Sequence, residues 1–142
     1  MTLDAYSFTA VGGREENQDA VGLENRDGRG LFVVADGLGG HQSGRLASDC
    51  AVKTLLDRWR QEAEPDPEKL AAWIGDANDA ILAVQAEKNC VTKSTVVALV
   101  IRGEKAFWAN SGDSRLYYLH DDEIASVTED HSVAYKDRKS VV

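Results

Sequence analysis

Leu31-Phe32-Val33-Val34-Ala35-Asp36-Gly37-Leu38-Gly39-Gly40-His41-Gln42-Ser43-Gly44 decides how this 142-residue chain is read. Its first five residues are an apolar run of strand type and length. The run stops at an aspartate, and four glycines within the next eight residues predict a loop from Asp36 to Gly40. A helix is expected from near Ser43, because Ala47, Ala51 and Leu55 recur every four residues with Cys50 and Trp59 beside them. A strand that ends in a carboxylate holds that charge rigidly, whereas Asp-Gly alone is only a turn signal.

Upstream, Ala5 to Val11 predicts a strand that Gly12-Gly13 breaks, and Ala20 to Glu24 predicts another. Asp27-Gly28 is a strong turn signal inside Asn25 to Gly30. Downstream, Pro65-Asp66-Pro67 ends the first helix and starts a second, with Asp66 as cap and Pro67 at the first helical position. Leu70, Ile74, Ala77, Ile81 and Val84 make its apolar face. Both helices read as packing elements without chemistry. Ser94 to Ile101 is apolar or β-branched without alternation, which predicts a strand covered on both faces. Strands follow at Lys105 to Asn110, Leu116 to Leu119 and Ile124 to Val127, with a turn at Ser111 to Ser114. Strands, two adjacent helices, then strands again argue for an α+β or layered sandwich rather than a βαβ wind.

Composition narrows the function. The chain is 43% hydrophobic and 28% charged, with 24 acidic against 16 basic residues and a formal charge of -8. That balance points away from nucleic acid and from anionic membranes, since no basic excess is available to displace counterions. No signal peptide is visible in Met1 to Ala10, and the longest apolar run, Val96 to Ile101, is too short to span a bilayer. A cytoplasmic location is expected. Cys50 and Cys90 form no C-x-x-C pair and read as buried reduced thiols. Leu56 and Val96 stand six positions after them, where a cysteine-nucleophile phosphatase loop needs arginine.

Three loops combine aspartate with glycine or a strand end: Arg14 to Asp19, Asp36 to His41, and Ser111 to Arg115. Hard cations such as Mg²⁺ and Mn²⁺ prefer oxygen ligands, and glycine lets a backbone carbonyl approach an ion closely. Their order is more specific than any one of them. Arg14, Asn17, Gln18 and Asp19 fit R-x-x-N-[EQ]-D. Ala35 to Ser48 fits A-D-G-M-G-G-H-x-x-G-x-x-A-S except at Leu38. Ala109 to Arg115 fits A-N-x-G-D-S-R, and Val127 to Ser132 fits L-T-x-D-H-S except at Val127. In these features, over roughly residues 5 to 135, the chain resembles the metal-dependent, type 2C (PPM) protein serine/threonine phosphatases in their compact bacterial form.

The resemblance implies a four-layer α-β-β-α sandwich of two antiparallel sheets flanked by helices. It implies hydrolysis of phosphoserine and phosphothreonine in proteins by a metal-activated water, with two or more Mg²⁺ or Mn²⁺ ions. Asp36 would bridge two metals, with Asp19 and the Gly37 carbonyl supporting one and Asp113 an additional, weaker ion. Arg14 would grip the phosphoryl oxygens. His41 would be the general acid for the leaving oxygen; its blander role is to order the turn. The implied partners are phosphorylated proteins and a serine/threonine kinase.

Three departures stand out. Gln18 replaces a glutamate common in the family, and Lys93-Ser94-Thr95 stands where the family has Gly-Thr-Thr. The family's later S-D-G and D-N motifs do not occur after Ser114, so the fold is expected to be incomplete at the C-terminus and this chain inactive by itself. Residues 1-136 are expected to form the N-terminal part of a phosphatase domain and 137-142 a non-native tail. Asp137 to Val142 can be encoded by GAT CGG AAG AGC GTC GTG, which matches a widely used sequencing-library adaptor. Two other readings are a pseudophosphatase that binds phosphoproteins without hydrolysing them and an acidic metal-binding domain of unrelated fold.

Overall fold

The computed structural model describes residues 3–40 and 43–130, and the backbone of 134–138. It is α+β, with two antiparallel sheets and two helices. Strands β1 (Asp19–Arg26) and β2 (Arg29–Gly39) lead into helices α1 (Ser43–Gln61) and α2 (Pro67–Lys88). Then come β3 (Thr92–Ser94), β4 (Val96–Arg102), β5 (Lys105–Ser111), β6 (Tyr117–His120), β7 (Glu123–Val127) and β8 (Ala134–Arg138). The main sheet runs β1-β2-β4-β5-β8, with β3 also on β2; β6 and β7 pair as a separate hairpin.

One face of the main sheet is covered by the helices. Leu31, Val33 and Ala35 of β2, and Val96, Ala98 and Val100 of β4, alternate onto that face and form one core with Ala51, Leu55, Leu70 and Ile74. Leu55 and Leu70 are fully buried; each contributes about 1.5–3 kcal/mol by leaving water. Helix α2 begins as its sequence predicts. The Asp66 carboxylate accepts from the Lys69 amide at 2.8 Å, and Pro67 occupies the first turn. It ends on Asn89, whose left-handed backbone (φ 50°) stops the helix. Arg58 of α1 reaches Asp76 of α2 at 2.9 Å.

Two expectations are corrected. Ala5 to Val11 forms no strand: it lies outside every ladder, with Tyr6 95% and Phe8 89% exposed. Strand-forming residues need a paired neighbour, and this segment has none among the described residues. Asp36 to Gly39 is strand rather than loop, because β2 continues beside β1 and then β3. β4 is the covered strand expected, with Val96, Val97, Ala98 and Val100 all buried. Asp27 (φ 56°) and Gly28 (φ 75°) make the two-residue turn between β1 and β2.

Candidate metal centre

Antiparallel register brings the first two aspartate loops together. Asp19 opens β1 and sits opposite Asp36 of β2. Side chains alternate across a strand, so with Ala35 on the helix face Asp36 projects from the opposite one, and Asp19 with it. The two carboxyls are close enough to share a hydrogen bond when one carries a proton. Burial first, and then the charge of Asp19 and that hydrogen bond, hold the Asp36 carboxyl above the ordinary carboxylate range. Arg14 pulls it down, and Asp113 pushes it up. All four residues therefore share one electrostatic neighbourhood.

The surrounding backbone is fixed by named contacts. The Gly37 amide donates to the Gln18 carbonyl at 3.0 Å. That carbonyl also accepts from the Ser48 hydroxyl of α1 at 2.7 Å, and Gln18 Nε2 donates to the Gly39 carbonyl at 3.1 Å. A Cβ on Gly37 would stand 2.0 Å from the Gly44 carbonyl oxygen, so only glycine lets β2 pass this close to the start of α1. The Asp19 amide donates to Asn17 Oδ1 at 3.0 Å. Asn17 and Gln18 thus shape the loop through their amides, which is the use the structure gives to the position where glutamate is common.

Asp113 stands on the turn after β5 and is exposed. Next to it, Arg115 forms a two-pronged pair with Asp130 at 2.8 and 2.7 Å, so Arg115 is paired with carboxylate as its sequence context suggests. Arg14 is exposed in the loop before β1. Expected site residue His41 lies outside the described residues.

Oxygen donors suit a hard cation, and the facing Asp19–Asp36 pair carries mutual repulsion that such a cation would remove. The convergence is incomplete: among the described residues, no three His, Cys, Asp or Glu side chains close into a ready cage. The pair is the nucleus of the candidate site, and Asp113 acts on it through its charge. Sequence reading marked Lys93-Ser94-Thr95 as a departure from the family pattern and Ser114 as part of a motif, but gave neither Thr95 nor Ser114 a role. The Asp36 amide donates to Thr95 Oγ1 at 3.1 Å, and Thr95 Oγ1 meets Ser114 Oγ at 2.5 Å. Pairing of Thr95 with Asp36 was the signal that could have found them, and only the sheet register reveals it.

Comparison with known proteins gives the same frame. A family model described as Protein phosphatase 2C matches residues 11–139. The serine/threonine phosphatase stp of Listeria innocua is 35% identical over 131 residues, covering 87% of this chain and 52% of that protein. Serine/threonine phosphatase Stp1 from Staphylococcus aureus superposes with a TM-score of 0.75 at 31% identity, covering 93% of this chain and 55% of that one. The catalytic domain of the serine/threonine phosphatase PstP, solved with two manganese ions, superposes with a TM-score of 0.68 at 32% identity, over 78% of this chain and 48% of that one. The chain spans about half the length of the curated relatives it matches. With an ordered set of motifs, a shared fold and a family match running through nearly its whole length, the chain belongs to the protein phosphatase 2C family.

Proposed function

We propose that the protein to which this sequence belongs hydrolyses phosphoserine and phosphothreonine in proteins, using Mg²⁺ or Mn²⁺. The observation that carries this reading is the Asp19–Asp36 pair, facing across one rung with Asp36 pushed toward its protonated form. Bound divalent ions supply Lewis acidity, lowering the pKa of water and offsetting charge on the phosphoryl group. The chain's own residues do the rest. Asp36, Asp19 and the Gly37 carbonyl would hold the ions, and Asp113 would help to hold a further, weaker one. Arg14 orients the phosphoryl oxygens with its planar fork of donors. His41 donates the proton to the departing serine or threonine oxygen. The substrates are phosphoproteins made by a serine/threonine kinase, and the site of action is the cytoplasm. Among the described residues, no helix is long and apolar enough to cross a membrane.

A second reading is supported by the lack of a three-ligand cage among the described residues. In it, the 142-residue chain binds phosphoproteins but does not hydrolyse them. An assay of this chain, and of the full reading frame recovered from genomic DNA, on a phosphothreonine peptide with Mn²⁺ separates the two. Turnover is expected from the genomic form, with loss of at least about a thousandfold in Asp36→Asn, since an essential ligand is removed. Chelator-insensitive turnover would sink the metal mechanism. Residues 137-142 are proposed to be adaptor-encoded. An antiparallel ladder uses backbone groups alone, so pairing of Asp137 and Arg138 with β5 does not depend on their identity. Recovery of the same six codons and a stop from intact genomic DNA would refute that proposal.

A further inference from the structure

We propose that Thr95 is the positioning residue that couples Asp36 to the Asp113 loop; the inference rests on the metal reading above for its functional meaning. Thr95 lies between β3 and β4, opposite Asp36. Residues facing each other as a hydrogen-bonded antiparallel pair exchange two backbone bonds. Here one bond is ordinary: the Thr95 amide donates to the Asp36 carbonyl at 2.9 Å. The return bond is diverted. The Asp36 amide donates to the Thr95 hydroxyl at 3.1 Å, and the Thr95 carbonyl accepts from the Ser94 hydroxyl at 2.7 Å.

The diversion gives the hydroxyl two tasks. A threonine hydroxyl has one proton and two acceptor positions. One acceptor takes the Asp36 amide, and the remaining capacity joins Ser114 Oγ, immediately beyond Asp113. The methyl group of the same side chain packs on the next turn. Gly112 holds φ 101°, and a Cβ there would lie 2.8 Å from Thr95 Cγ2. One side chain thus grips Asp36 through its amide and the Gly112–Ser114 turn through both oxygen and carbon. Asp113 is exposed, and among the described residues no three-ligand cage holds it, so its distance from Asp36 depends on this clamp.

The test uses the 142-residue chain with T95V, T95S, S114A and the T95V/S114A double variant. Amide hydrogen exchange of residues 112–114 is read without metal, and Mn²⁺ binding is read by titration. Loss of one such hydrogen bond predicts about five- to tenfold faster exchange in T95V and S114A. A similar loss is expected in affinity for the weaker ion, with a smaller change for the tighter one. T95S, which keeps the oxygen, should restore affinity to near the parent value. The double variant should exchange no faster than T95V. S114A cuts the link without touching the Asp36 amide, so it remains informative if T95V folds poorly. Parent-like exchange in both T95V and S114A, or independent addition of their effects, would overturn the proposal. If the 142-residue chain binds no Mn²⁺, the same variants are titrated in the genomic full-length form; no Mn²⁺ binding there means that the metal reading fails, and the metal-free exchange still decides whether Thr95 is the clamp.

Discussion

The two ends of the β1–β2 hairpin face the same electrostatic difficulty and resolve it differently. At the turn end, Arg26 stands opposite Arg29; at the other, Asp19 stands opposite Asp36. About 23 Å of strand separates the two rungs, and like charges directly opposed destabilise a sheet. The arginine pair is relieved within the protein. Arg29 lies 5.5 Å from the centre of the Trp59 ring and donates to the Ala63 carbonyl at 2.8 Å, while Arg26 is exposed to water. The aspartate pair is relieved only in part, by Arg14, while burial and Asp113 work against it. A repulsion that the fold dissipates is ordinary surface chemistry. One that the fold retains is what the proposed cation would relieve.

Three measurements press on that contrast. The largest effect is expected for alanine at the close-packed glycine of the acidic end. Gly37→Ala should cost about 3 kcal/mol or more in urea unfolding, because backbone must move. Gly28→Ala, in the left-handed turn at the basic end, should cost about 1–2 kcal/mol. A reversed order would mean that the acidic end is not the more tightly constructed one.

Next comes the charge itself. Mn²⁺ at a hundred times its dissociation constant should stabilise the parent chain by about 2.7 kcal/mol, and Asp36→Asn should abolish that gain. Without metal the sign reverses. Because the Asp36 pKa is raised on folding, its contribution is fully present below the ordinary carboxylate range and is lost as pH rises through the raised value. Asp36→Asn should therefore match the parent in acid and become the more stable protein as pH climbs through that window. Thermal midpoints from acid to neutral pH check this, and an advantage that shrinks with rising pH would contradict it. The smallest effect belongs to the basic end: Arg26→Ala should leave the midpoint unchanged within error, since the pair there is already relieved.

Much of this was legible in the sequence, where a single local signal decided the matter. Asp66-Pro67 announced the start of α2, and Asp27-Gly28 the hairpin turn. Ordered motifs singled out Asp19, Asp36, Gly37 and Asp113, and the register sets the first two carboxylates opposite each other. What failed was whatever depends on a distant partner. Ala5 to Val11 has strand-like composition but no partner strand among the described residues. Asp36 to Gly39 has loop-like composition, yet it is held as strand by β1 and β3. Thr95 stood out only as part of a departure from the family's Gly-Thr-Thr, because its diverted hydrogen bond exists only once Asp36 is opposite it.

That pairing also bears on folding fidelity. Asp19, Asp36, Thr95 and Gly112 form one transverse rung, from the outer strand β1 to the end of β5. Strand separation, about 4.8 Å, fixes its pitch, and side-chain flexibility has little say in it. Slippage of β2 by one residue would turn Asp36 toward Leu55 and the helix side and carry Ala35 outward. A misregistered chain could keep its strands and helices yet present no acidic pair at all. Cation capture would then select correctly registered molecules from a mixed population, making the ion an inspector of the sheet as well as its cargo.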